Sequence, residues 1–155
     1  MSQRSNRPVD WEAFVRENEN RLYRAALAIL GDPQEAEDAV QDAFVKYLEK
    51  APKELRAPGA WLMRVLVNGC KSRLRLKWRQ VAPIPDTLPA PSNEERQELE
   101  ELWSLPAQER AVIHLFYYEG YSTDEIARMV GAAPGTVRSR LSRAREKLKK
   151  LLSDL

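Results

Sequence analysis

The sequence predicts an all-α protein built from two small helical domains joined by a proline-rich linker. Apolar residues recur at steps of three and four along most of the chain, which is the spacing of one face of an α-helix. Helix start and stop residues separate these stretches, and strand-like alternation never exceeds a few residues. Segment 81–93 contains four prolines and little that can pack. We therefore expect domains over residues 1–80 and 94–155.

Composition excludes several classes of protein. The net charge is +2, with basic ends flanking an acidic middle, a pattern that suits contact with nucleic acid at defined places. With only Cys70 and His114, neither a disulfide framework nor a zinc cluster is available. The longest apolar run, Ala25–Leu30, is far below the roughly 20 residues of a membrane span. We expect a cytoplasmic protein without membrane insertion, metal or cofactor.

The first two helices are separated by a stop and a start signal. The helix period over Trp11–Leu30 ends at Gly31, and Asp32 and Pro33 then suit an N-cap and a first helical position. We expect the second helix to run to about residue 49, with an apolar stripe inside. Four residues lie off that stripe and should face outward: Asp38, Gln41, Asp42 and Val45.

A third helix is expected over residues 60–79, after a loop over residues 50–59 that holds two prolines and a glycine. Its inner positions include Leu62 and Leu76. Every charged residue from 64 to 79 is basic. Positions i, i+4, i+7 and i+11 fall on one face of a helix, and here they are occupied by Arg64, Asn68, Lys71 and Arg75.

The C-terminal domain ends in a predicted helix-turn-helix. After an acidic helix over 94–104 and a helix over 106–120, Ser122 and Glu125 are spaced as a capping box. The short helix that they open ends at Gly131, and Pro134 begins a long helix to about residue 152. In a helix-turn-helix the second helix enters the major groove of duplex DNA.

The last helix has an apolar stripe, which ends at Leu148 and Leu151, and an opposite face suited to guanine edges and phosphates. That face carries Gly135, Thr136, Arg138, Ser139, Ser142, Arg143 and Arg145. The alternative interpretation is a solvated basic helix. Ala133 stands at the N-cap and offers no side-chain oxygen, at a cost of roughly 1 kcal/mol.

Five segments together resemble bacterial sigma factors of the extracytoplasmic-function (ECF) group, which contain only regions 2 and 4. LPAQER (105–110), GYSTDEIA (120–127) and GTVRSRLSRAR (135–145) are similar to region 4. EAEDAVQDAF (35–44) and AWLMRVLVN (60–68) are similar to region 2.

The resemblance assigns partners to these faces. It implies that Asp38, Gln41 and Asp42 bind core RNA polymerase, although a solvated acidic face is the alternative. It implies that Asn68 engages a flipped base of the minus-ten element, that its basic neighbours on the third helix hold the melted strand, and that the last helix reads the minus-thirty-five element. Ser72 and Ala133 depart from the common pattern, where Asp and Ser are frequent, and this bears on the promoter sequence.

We therefore expect an alternative sigma factor that binds core RNA polymerase, recognises promoter DNA and promotes its melting, with an anti-sigma factor as a further partner and no catalytic residues. The alternatives are a stand-alone helix-turn-helix regulator and a helical adaptor that binds only protein. Trp61 is expected in the core rather than stacked on bases. Cys70 is expected to be a packed thiol rather than a redox sensor, and His114 a satisfied helix residue.

Overall fold

The computed structural model describes residues 10–80 and 104–153. Within these two stretches all regular structure is helical, which confirms the predicted class. The expected linker over residues 81–93 and all but the last residue of the expected acidic helix over 94–104 lie outside the described residues.

The N-terminal unit consists of α1 (Trp11–Leu30), α2 (Pro33–Lys50) and α3 (Pro58–Gln80). Gly31 ends α1 with a φ of 79° that disfavours residues with a Cβ. Asp32 caps α2, where its carboxylate accepts from the backbone N–H of Gln34 at 3.3 Å. The third helix begins two residues earlier than expected, because Pro58 occupies its first position, where a missing N–H has no cost.

Small residues let these three helices approach closely. Six alanines of α1 and α2 are at most 3% exposed, and five of them share one apolar core with leucines of α1 and α3. At the other end an aromatic cluster fills the space, with the rings of Tyr47 and Trp61 edge to face at 5.6 Å. The expectation that Trp61 packs in the fold is confirmed, since its half-buried ring joins that cluster.

The C-terminal unit consists of α4 (Ala107–Ile113), which continues as a π-helical turn over His114–Tyr118, followed by α5 (Thr123–Val130) and α6 (Pro134–Ser153). The prediction of one regular helix to residue 120 is wrong. The backbone N–H of Glu119 bonds to the carbonyl of His114, five residues back, at 3.2 Å. The helix is therefore widened before the chain turns at Gly120, whose φ is 77°.

Three further expectations are corrected. Leu76 is 54% exposed and Leu151 is 36% exposed, although both were expected inside. Each lies toward the end of a helix that is longer than the described helices it packs against, so its last turn extends beyond them. His114 was expected to have its hydrogen bonds satisfied, but it is buried and neither ring nitrogen has a hydrogen-bond partner among the described residues.

The two units pack against each other, α4 on α1 and α5 on α3, and share a continuous apolar core. Arg110, a residue that is 3% exposed, extends its guanidinium across this contact. It donates to the carbonyls of Ala28 and Ile29 at 2.7 Å each, and to that of Leu105 at 2.6 Å. The last carbonyls of a helix lack hydrogen-bond partners within the helix. Here a cation from α4 supplies hydrogen bonds to the C-terminal carbonyls of α1.

Candidate nucleic-acid interface

The predicted helix-turn-helix is formed by α5, a short turn and α6. The capping box is present: the N–H of Glu125 donates to Ser122 Oγ at 3.1 Å, and the N–H of Ser122 donates to the Glu125 carboxylate at 2.8 Å. Gly131 ends α5 with a φ of 71°, and its N–H bonds to the carbonyl of Ala127 at 2.9 Å. Three apolar residues of α6 are buried in the C-terminal unit: Val137, Leu141 and Ala144. Their burial turns the opposite face of α6 toward the solvent.

Every residue that the sequence assigned to duplex DNA is exposed on α6. Their backbone and side-chain donors lie along the first three turns of the helix. An exposed N-terminal half that carries arginines and hydroxyl groups is the geometry with which a recognition helix reads base edges and phosphates. The set comprises Gly135, Thr136, Arg138, Ser139, Ser142, Arg143 and Arg145.

Two residues that sequence reasoning missed restrain the basic side of α6. The Glu109 carboxylate, from α4, lies 3.0 Å from the Lys147 ammonium and 3.7 Å from the Arg143 guanidinium. Tyr117 accepts from Arg145 Nε at 2.6 Å, and the Arg145 guanidinium lies 5.8 Å from the Tyr117 ring centroid. Both restraining residues lie far from α6 in the sequence, so no local sequence pattern predicts these contacts.

The second predicted nucleic-acid face lies on α3. Arg64, Asn68 and Arg75 are exposed along it, as their spacing predicts. The Arg75 guanidinium donates to Ser72 Oγ at 3.2 Å, one turn away. These three residues form an open basic strip of the kind that binds the backbone of single-stranded DNA.

Lys71 differs from its neighbours on this strip. Its side chain is half-buried, and its ammonium donates to the backbone carbonyl of Val130 at the end of α5. Burial lowers the pKa of Lys71, and the positive charges of Arg75 and Arg140 lower it further. The sequence placed Lys71 on the right face of α3, but the contact with the C-terminal unit covers it.

The residues of α2 that the sequence predicts to face outward lie at the surface. Gln41 and Asp42 are exposed and Asp38 is partly exposed. The Asp42 carboxylate pairs with the Arg73 guanidinium of α3 at 2.6 Å, and Asp38 accepts from the Gln34 side chain at 3.3 Å. An acidic and polar surface of this kind is available to a protein partner.

Two other features of the described residues bear on chemistry. Cys70 is fully buried, and burial raises the pKa of its thiol to about 12, so it stays protonated at neutral pH. No group of His, Cys, Asp and Glu side chains in the described part of the chain is arranged to hold a metal ion. Within residues 10–80 and 104–153, no helix combines the length and the apolar character that crossing a membrane requires.

Comparison with known proteins identifies the family. The model of Sigma-70 region 2 matches residues 14–80, and that of Sigma-70, region 4 matches residues 97–148. The ECF RNA polymerase sigma factor SigM of Mycobacterium tuberculosis is 34% identical over 154 residues, which cover 94% of this chain and 78% of that protein. SigL of the same species is 34% identical over 148 residues, covering 86% of this chain and 84% of SigL.

A solved structure supports the same assignment. The sigma factor RpoE of Bartonella quintana, in complex with the anti-sigma factor NepR, superposes with a TM-score of 0.72 at 27% identity. The match covers 93% of this chain and 97% of that one. Regions 2 and 4 thus coincide with the two helical units that carry the two basic faces, and the chain belongs to the ECF RNA polymerase sigma factors.

Proposed function

We propose that this sigma factor acts entirely by binding, with region 2 over residues 1–80, a linker over 81–93 and region 4 over 94–155. The outer face of α2, with Asp38, Gln41 and Asp42, binds core RNA polymerase. The α3 face holds the melted minus-ten strand, and the exposed face of α6 enters the major groove of the minus-thirty-five element. The chain has no catalytic site of its own in this proposal, and it works in the cytoplasm.

The observation that carries this proposal is the simultaneous exposure of two basic faces on two different helices. On α6, Arg138 and Ser139 project from the side opposite the buried stripe. On α3, Arg64 and Asn68 are open to the solvent. An arginine contacts guanine in the major groove with two hydrogen bonds, whereas an unpaired base is held by side-chain hydrogen bonds and a basic groove. The two faces therefore suit intact and melted DNA respectively.

A protein partner that controls this activity is also part of the proposal. RpoE was solved with the anti-sigma factor NepR, and CnrH, with a TM-score of 0.64 at 26% identity, was solved with the cytosolic domain of CnrY. By this similarity we extend the expectation of an anti-sigma factor to this chain.

Run-off transcription with purified core RNA polymerase tests the proposal. The chain is expected to direct initiation from specific sites in a pool of genomic promoter fragments, whereas core polymerase alone is not. Asp38→Asn and Asp42→Asn, which remove the carboxylate charges, are expected to lower the apparent affinity for core polymerase. Glu37→Gln on the same helix serves as the matched control. Promoter binding without polymerase and without initiation would indicate a stand-alone regulator. Binding to protein alone would indicate an adaptor.

A further inference from the structure

Glu109 is a buried acid that lies beside the basic helix α6. It belongs to the first turn of α4, and its side chain is only 8% exposed. A carboxylate that is shielded from water to this extent costs free energy unless charged or hydrogen-bonding partners satisfy it. Those partners come from α6, so an acid of one helix is coupled to the charges of the helix that carries the duplex-DNA face.

Two cations of α6 meet this carboxylate in different ways. The Lys147 ammonium donates to both oxygens of Glu109, at 3.0 and 3.1 Å. The Nε atom of Arg143, one turn earlier on the same side of α6, lies 3.7 Å from Oε2. That distance is too long for a hydrogen bond. The carboxylate therefore binds the ammonium of Lys147, whereas it attracts the guanidinium of Arg143 without using its Nε donor.

This difference decides which cation can reach DNA. A lysine that neutralises a phosphate raises the affinity for any duplex, whatever its sequence. Lys147 could do so only by leaving Glu109 as a buried charge without its ammonium, and breaking such a buried pair is strongly unfavourable. The side chain of Arg143 is 57% exposed and can extend to a base edge while it stays near the carboxylate. Glu109 thus restrains Lys147 more than Arg143.

The contact made by Tyr117 shows what is particular to Glu109. The Tyr117 hydroxyl accepts from Arg145 Nε at 2.6 Å, but this hydroxyl is neutral and leaves the charge of Arg145 uncompensated. Glu109 holds side chains of α6 as Tyr117 does, and in addition it places a negative charge among them. Its contact therefore changes the electrostatic attraction of α6 for phosphates as well as the position of the side chains.

We infer that Glu109 is a specificity-determining residue: it withholds Lys147 from the phosphate backbone and orients Arg143 toward the bases, so that α6 prefers its promoter element over other duplex DNA. This inference rests on the proposed function of α6. Specificity is a difference between two affinities, and a lower affinity for incorrect DNA increases it as effectively as a better contact with the correct one. The ratio matters because competing non-specific sites far outnumber promoters.

Glu109→Gln, which keeps the shape and removes the charge, tests this inference in the full chain assembled with core RNA polymerase. Binding is measured on a promoter fragment found by run-off transcription and on the same fragment with a scrambled minus-thirty-five element. We expect about fivefold tighter binding to the scrambled fragment, and a plot of log affinity against log salt that is steeper by about 0.9, because Lys147 gains one phosphate. Affinity for the promoter is expected to change by less than about twofold, because the lost orientation of Arg143 offsets this gain.

Lys147→Met, made in the parent chain and in Glu109→Gln, shows whether the lysine carries the effect. In the parent we expect it to change affinity for the scrambled fragment by less than about twofold, because the ammonium is already occupied. In Glu109→Gln it is expected to abolish the gain of about fivefold. Lys149→Met, at an exposed position further along α6, is the matched control and is expected to have the same effect in both backgrounds.

Three outcomes would overturn the inference. In the first, Glu109→Gln weakens binding to both fragments and leaves the salt dependence unchanged, as a purely structural role requires. In the second, Lys147→Met has the same effect in both backgrounds. In the third, Lys147→Met weakens binding of the parent chain about fivefold, which decides the matter even if Glu109→Gln does not fold.

Arg138→Ala and Arg143→Ala separate this inference from the proposed function on which it rests. If both reduce the preference for the promoter fragment while Glu109→Gln does not, α6 still reads the minus-thirty-five element and the role of Glu109 alone is wrong. If neither changes that preference, the assignment of α6 to duplex DNA fails as well.

Discussion

Replacement of Arg110 by methionine is expected to lower the free energy of unfolding by about 3 kcal/mol or more. The substitution keeps the apolar stem but removes the donors that three buried backbone carbonyls share. A buried acceptor left without a partner costs roughly 1–3 kcal/mol. Burial lowers the pKa of Arg110 to about 10, so the guanidinium is charged at neutral pH and its bonds are charge-assisted. Urea denaturation followed by circular dichroism measures the change.

The matched control is Arg128→Met, which alters an exposed arginine on α5. Exposed substitutions of this kind usually change stability by no more than about 0.5 kcal/mol. If Arg110→Met costs less than about 1 kcal/mol, the guanidinium does not support the contact between α4 and α1, and the account of how the two units are joined is wrong.

The second large effect concerns acid stability and His114. This imidazole is 3% exposed and stacks on Tyr118 with ring centroids 5.1 Å apart. Burial, assisted by the positive charge of Arg24, lowers the pKa of His114 from 6.5 to about 4. Between these values the unfolded chain binds a proton that the folded chain does not, so stability falls as the pH decreases from 6.5 to 4. The loss amounts to about 3 kcal/mol.

His114→Leu isolates this contribution, since His114 is the only histidine in the sequence. At pH 7 we expect a change within about 1 kcal/mol, because the lost stacking is offset by removal of two buried nitrogens that lack hydrogen-bond partners within the described part of the chain. Between pH 6.5 and 5 the leucine variant is expected to lose distinctly less stability than the parent in urea titrations at each pH. Parallel pH profiles for the two chains would show that His114 titrates normally.

The elements that the sequence predicts well are those with local causes. The capping box at Ser122, the left-handed glycine at Gly131 and the apolar steps of α6 all act within a few residues, and together they orient the exposed face of α6. The same reasoning placed Arg64 and Asn68 on one side of α3. Periodicity is a short-range property, so it specifies which way a helix faces without reference to the rest of the chain.

What the sequence does not reveal is decided by partners far away along the chain. Lys71 meets Val130, and Arg110 meets Ala28, only after two helical units have docked, and no spacing rule links such positions. The π-helical turn after α4 was missed for a related reason: its residues have an ordinary helical pattern, and the widened turn is visible only in the backbone hydrogen bonds. The expected linker and acidic helix stay predictions.

Transcription from two forms of one promoter tests most directly the claim that α6 reads intact DNA while α3 holds melted DNA. One template is fully paired, and the other is pre-melted over the minus-ten element. On paired DNA we expect Arg138→Ala and Asn68→Ala each to lower promoter-specific initiation. For Arg138→Ala the expected loss of promoter-binding free energy is about 1–3 kcal/mol. On the pre-melted template the Asn68→Ala chain is expected to recover most of its activity, while the Arg138→Ala chain does not. Equal defects for both variants on both templates would contradict the division of labour between the two faces.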